Sequence, residues 1–208
     1  MAFSASVATF LTFAAFILEL FTLIGNTYNQ PFLRDLYFTR LVSGEQFITF
    51  GLWSYCEGSN WVVDTCSKPV GAFVWTKADI IQQWVDGFHG QDQLFLANFI
   101  LYWIAFGLTF LALIITVLSN FKRSSDVVAS LACFLTSIVL LVVFIFLMVL
   151  SLRGINEVKQ IDSSINGNLG PSMWMTLGAL VGALLASLWY CIACCCGSGR
   201  VKDNTIKA

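Results

Sequence analysis

A chain of 208 residues that is 58% hydrophobic and only 11% charged, with a mean hydropathy of +0.79, does not carry enough polar surface to cover a water-soluble domain. Its net charge of −1, from 11 basic and 12 acidic side chains, gives no electrostatic footprint for nucleic acid. A membrane protein is the class that remains.

The apolar residues fall in four blocks, about Val7 to Ile24, Leu94 to Leu118, Val127 to Leu150 and Met173 to Ile192. Each reaches the roughly 20 residues that a helix needs to cross a hydrocarbon core about 30 Å thick. Buried helices of a soluble protein would show polar stripes at helical spacing, and these blocks are apolar around most of their circumference. The expected fold is an all-α membrane four-helix bundle with a small extracellular antiparallel β-sheet, one domain over residues 1–208. Four spans put both termini on one side. The short loop 119–126 and the tail 193–208 hold Lys122, Arg123, Arg200, Lys202 and Lys207 against Asp126 and Asp203. The other side spreads six basic residues among nine acids over two long segments, 25–93 and 151–172. Density of Lys and Arg in short loops sets orientation, so the loop and both termini are predicted to be cytoplasmic.

In chain order, the first block reads as a retained signal anchor: it lacks a basic start, contains Glu19, and ends in Gly25-Asn26-Thr27 without a small-x-small cleavage site. Glu19 is placed near the middle of this span, where a charge costs at least about 2.5–3.5 kcal/mol on insertion scales. It is therefore expected to face the bundle or a partner, with protonation as one way to lower the cost. A single acid with no base in the other spans makes a poor ion pathway, so packing or partner contact is favoured over transport.

The outer loop 25–93 contains Cys56 and Cys66, the two cysteines assigned to the outside, and a pair ten residues apart in an oxidising compartment predicts a disulfide. Around it, residues 46–50 and 60–63 read as short strands separated by turn chemistry at Glu57-Gly58-Ser59-Asn60, and Gly71–Trp75 is a further candidate strand. Thr76-Lys77-Ala78-Asp79 has capping-box-like spacing and leads into Ile80, Ile81, Trp84, Val85 and Phe88, one apolar face of a short helix on the membrane surface or against the sheet.

Gly51-Leu52-Trp53, then Cys56 and Cys66, after the first of four spans, resembles the signature of the claudin superfamily. The run Phe50 to Gly58, with Cys66-Ser67-Lys68-Pro69 and Gly71-Ala72-Phe73, more specifically resembles the fungal claudin-like tetraspans, namely the eisosome-associated Sur-seven type and the PalI type of pH-signalling protein. The likeness extends over the topology of about residues 1–196 and over motifs within 50–73. Claudins usually carry an additional Trp before the triplet, and none precedes Trp53 here. The residues themselves give Gly51, Leu52 and Trp53 a folding role: Gly51 permits a tight backbone and Trp53 anchors the sheet at the membrane interface. Direct ligand contact is the less favoured alternative.

Cys133 in the third span reads as core. In the fourth span Gly178, Gly182 and Ala186 share a helical face, a spacing that allows close approach of another helix within the bundle or, less favoured, in a homodimer. Cys191, Cys194, Cys195 and Cys196 cluster at its cytoplasmic boundary. Juxtamembrane cysteines of this kind are candidates for S-acylation, with inert reduced thiols as the alternative. Metal binding is disfavoured, because contiguous cysteines surround one ion poorly and the lone His89 lies on the other side.

Neither a nucleophile–base pair nor a phosphate-cradling glycine pattern emerges, and His89 reads as a loop residue, so no enzyme, cofactor, metal or small-molecule substrate is expected. The expected partners are the lipid bilayer and other membrane proteins or further copies of the chain. The resemblance implies a plasma-membrane component that organises membrane domains and supports the cell wall and cortex. An accessory subunit of a channel, transporter or pH-sensing complex is the second reading, and a claudin-type pore or adhesion protein the third.

Overall fold

Backbone polar groups cannot stay open in hydrocarbon, so each apolar block has to close its hydrogen bonds within itself as a helix. The computed structural model describes residues 2–28, 30–74, 92–119 and 126–197, with four long helices: α1 (Ala2–Ile24), α2 (Asp92–Ser119), α3 (Asp126–Ile161) and α4 (Pro171–Gly197). Within them Ser6–Ile24, Gln93–Ser119, Val127–Gln160 and Pro171–Ala193 are long and apolar enough to cross a membrane.

The helices form a ring in which α4 packs closely on both α1 and α3, and the α1–α2 seam is the sparsest. Close approach follows from small buried side chains at the crossings: Ala8 and Ala15 on α1, Ala179, Ala183 and Ala186 on α4. Apolar contacts alone discriminate poorly between helices in lipid, and hydroxyls fix the pairing. Ser130 of α3 and Ser187 of α4 each donate to the other's carbonyl, at 3.0 and 3.1 Å. At the same end of the bundle, the Thr9 and Tyr190 hydroxyls lie 3.0 Å apart, and Ser119 donates to Tyr190, tying α1, α2 and α4. Outward-facing Phe10, Leu111, Leu131, Phe134 and Leu188 are exposed along the helices, as a lipid-facing surface requires.

At the opposite end sits one five-stranded antiparallel sheet. Its strands are β1 (Thr39–Ser43), β2 (Gln46–Phe50), β3 (Tyr55–Ser59), β4 (Val62–Cys66) and β5 (Asn166–Leu169), in the order β4-β3-β2-β1-β5. Alternation sorts the faces. Leu41, Ile48 and Phe50 are buried with Phe38 and Leu52 against the helices, while Arg40, paired with Thr49, points to the other face. Cys56 pairs with Cys66 across β3 and β4, and the two form a disulfide.

The strand expected at 46–50 is β2. The strand expected at 60–63 begins later, because Asn60 and Trp61 are the turn itself and Glu57-Gly58-Ser59 belong to β3. Gly71 and Ala72 form a turn, and Phe73 and Val74 are buried without joining a strand. Strand β5 had no signal, since Asn166-Gly167-Asn168-Leu169 lacks β-branched residues and is held by pairing to β1. The third helix continues well beyond Leu150, to Ile161. Its apolar spacing continues past Arg153: Leu147, Leu150, Ile155 and Val158 stay buried, and Ile155 packs where a Gly167 side chain would lie. Most of the expected loop 151–172 is therefore helix and strand. At the corner leading to β5, the hydroxyl and N–H of Ser164 donate to Asp162 and hold its carboxyl below the usual range. The short helix expected from Thr76, together with Trp75, His89, residues 120–125 and the tail 198–208, lies outside the described residues.

Candidate functional site

The motif residues meet where the sheet joins the helices. Helix α1 ends at Ile24, and Asn26 takes the left-handed conformation (φ 59°) that closes many helix C-termini. Asn tolerates it because its short amide satisfies local backbone groups. The Asn26 N–H donates to the Leu33 carbonyl at 2.8 Å, and its side-chain amide donates to the Ser54 carbonyl at 3.0 Å. The Ser54 hydroxyl donates back to the Asn26 carbonyl. The Asn26 side-chain oxygen lies 2.9 Å from the Cys56 sulfur; that sulfur is in the disulfide and carries no proton, so this is a polar contact and not a hydrogen bond.

Each residue of the triplet then has a distinct task. A side chain on Gly51 would come within 2.5 Å of the Asn26 Cβ, so glycine is what lets the β2–β3 loop lie on the helix end. Leu52 is buried in the core shared with Phe95 of α2 and with Leu147 and Leu150 of α3. The Trp53 indole N–H donates to the Leu23 carbonyl at 2.6 Å, satisfying one of the terminal α1 carbonyls. Its ring meets Phe99 edge-on at 4.9 Å and Trp103 at 6.4 Å, both on α2. Three adjacent residues thus bind three helices to one loop. Asn26 and Ser54 escaped sequence reasoning, although an Asn two positions past a helix end is a recognisable cap signal.

A sequence model of the SUR7/PalI family matches residues 4–189, which includes all of this seam. The chain belongs to the SUR7/PalI family. No curated protein matches it. As a SUR7/PalI protein with four spanning helices, it is a multi-pass membrane protein.

Glu19, the acid in the first span of this SUR7/PalI chain, is fully buried between α1 and α2. It sits five residues before Ile24, about 7.5 Å from the sheet end of α1, shallower than mid-span. The Thr109 hydroxyl donates to its Oε1 at 2.6 Å, and Oε2 has no hydrogen-bond partner among the described residues. Thr109 also lies 3.0 Å from the Ala105 carbonyl, and its one proton serves one acceptor at a time.

On α4, Gly178 and Gly182 face α1: added side chains would meet Leu18 at 3.1 Å and the Leu11 carbonyl at 3.4 Å. Ala186 is buried in the same bundle. Cys133 is buried 3.7 Å from the Thr12 hydroxyl. Cys191 is an exposed free thiol near the end of α4. Cys194, Cys195 and Cys196 continue that helix, and their side chains lie outside the described set.

Proposed function

We propose that this SUR7/PalI protein is a non-catalytic plasma-membrane component, with the sheet outside and both termini cytoplasmic. Its task is to organise membrane domains and support the cell wall and cortex in the manner of eisosome-associated relatives. The observation that carries the reading is how the motif is used. Gly51, Leu52, Trp53 and the Cys56–Cys66 pair are spent on fixing a sheet to three helices, and a rigidly presented sheet is what a membrane scaffold needs. S-acylation at Cys191 and its neighbours Cys194, Cys195 and Cys196 fits the same role, since added chains would bias the protein toward ordered or thicker membrane.

Imaging of a fluorescently tagged copy tests this: stable patches in the plasma membrane are expected, and uniform or internal fluorescence overturns it. A second reading, an accessory subunit of a channel, transporter or pH-sensing complex, is favoured by the outer edge of β4, which pairs with no strand among the described residues and so offers backbone groups to another chain. Stoichiometric co-purification with one larger membrane protein would select it.

A further inference from the structure

The β3–β4 hairpin turns through Asn60 (φ 49°) and Trp61 (φ 68°). A two-residue hairpin with positive φ at both positions is ordinarily Asn-Gly, because glycine adopts that conformation freely and a bulky residue is strained in it. The turn thus calls for glycine and holds tryptophan instead. Trp61 is 79% exposed, so core packing does not account for it. Interfacial anchoring does not either. The strands dock on the helices through their Phe50 and Tyr55 ends, and Trp61 lies beyond the opposite ends, about 14 Å further along the strands.

Beneath Trp61 lies Arg40. Its guanidinium carbon is 4.4 Å from the Trp61 ring centre and 4.0 Å from that of Phe47, which packs over Gly58. Among the described residues the buried Nε of Arg40 has no hydrogen-bond partner and no carboxylate pairs with this side chain. A guanidinium carbon held against two rings leaves the N–H groups to recruit a partner, and their fork matches a carboxylate. Directly after Trp61 comes β4, the edge strand of the sheet, with Val62, Asp64 and Thr65 exposed and one side of its backbone unpaired among the described residues.

We propose that the Trp61–Arg40 stack and the edge of β4 that begins beside Trp61 form a docking site for an extended segment of a partner protein that carries an acidic side chain. Backbone pairing along β4 supplies affinity, and where the segment passes the hairpin end of the strand it covers Trp61 and sets its acid on the Arg40 head, which reaches from β1 to the Trp61 ring. A second copy of this chain fits less well. Asp64 is the centre of β4, and two β4 strands paired antiparallel about their centres set Asp64 against Asp64, a like-charge opposition.

The test uses full-length protein in lipid nanodiscs, which leave both faces open whichever side the sheet occupies in the cell, so its failure is separate from failure of the scaffold reading. Random octapeptides displayed on phage are selected on wild type and counter-selected on Arg40→Gln. Enriched peptides are expected to share one acidic position and to bind Arg40→Gln and Trp61→Gly at least tenfold more weakly. They are also expected to lose binding when the backbone is N-methylated. Arg40→Lys should not restore them, because an ammonium lacks the planar fork. Trp61→Gly keeps the turn and should unfold as wild type does. No enrichment over Arg40→Gln, or peptides indifferent to Trp61, overturns the proposal. So does concentration-dependent self-association that Trp61→Gly or Arg40→Gln abolishes, which would make the occupant a second copy. Loss of the folded sheet in both variants would make the stack a structural element and sink the proposal as well.

Discussion

Asn26 and Ser54, 28 residues apart in sequence, hold each other by a reciprocal pair of hydrogen bonds, amide to carbonyl in one direction and hydroxyl to carbonyl in the other. Both are buried, so breaking either bond strands a polar group away from water. Asn26→Gly keeps the left-handed helix end and loses the side-chain amide; Ser54→Ala loses the returning hydroxyl. Each is expected to lower unfolding stability by about 1–3 kcal/mol. The double variant should fall short of the sum, because the two act as one contact. Thermal unfolding of the four proteins in one detergent measures the coupling, and strict additivity would show that the bonds are independent.

Gly51→Ala should be more damaging than Trp53→Phe. The first forces the loop off Asn26, since the added carbon would sit 2.5 Å from the Asn26 Cβ. The second keeps a ring against Phe99 and Trp103 but loses the donor to Leu23, a deficit of about 1 kcal/mol. Parallel melting curves, with surface delivery as a second readout, give the order.

Cys56→Ser removes a cross-link that closes a ten-residue separation. The chain-entropy estimate for a loop of that size is about 2.7 kcal/mol. Reduced export is the expected cellular result, and Cys66→Ser should match it. Normal delivery of both variants with unchanged function would remove the bond from the list of requirements.

Glu19→Gln retains an oxygen for the Thr109 hydroxyl and removes the charge. Assembly and melting temperature are expected to stay near wild type, within a change of about 1 kcal/mol. A variant that misassembles would show that the carboxylate itself is needed, which size-exclusion profiles of the purified proteins can decide.

Intact-mass analysis from native membranes should show an acyl increment that hydroxylamine removes. Cys191→Ser should lower the mean number of chains, since its thiol is exposed near the end of α4. A spectrum without such an increment leaves the four terminal cysteines as reduced thiols.

The sequence by itself determined the four membrane helices, because a long run of apolar residues has one way to satisfy its backbone in lipid. It also determined the pairing of Cys56 with Cys66 and the location of β2, where aromatic and β-branched residues crowd a short run. What it did not carry was decided by contacts between distant segments. Asn166–Leu169 is a strand because β1 lies beside it, not because of its own residues. The continuation of α3 to Ile161, beyond the apolar block that ends at Leu150, goes with Ile155 packing on Gly167 of β5 and Val158 entering the core. Gly51, Leu52 and Trp53 were legible as a motif expected to fold the loop, with Trp53 at the membrane interface. That Trp53 caps α1, and that Gly51 makes room for Asn26, emerged only when the β2–β3 loop was laid on the end of the first helix. Local pattern fixes which segments are apolar and which turn; which carbonyl a given N–H reaches is settled by packing across the chain.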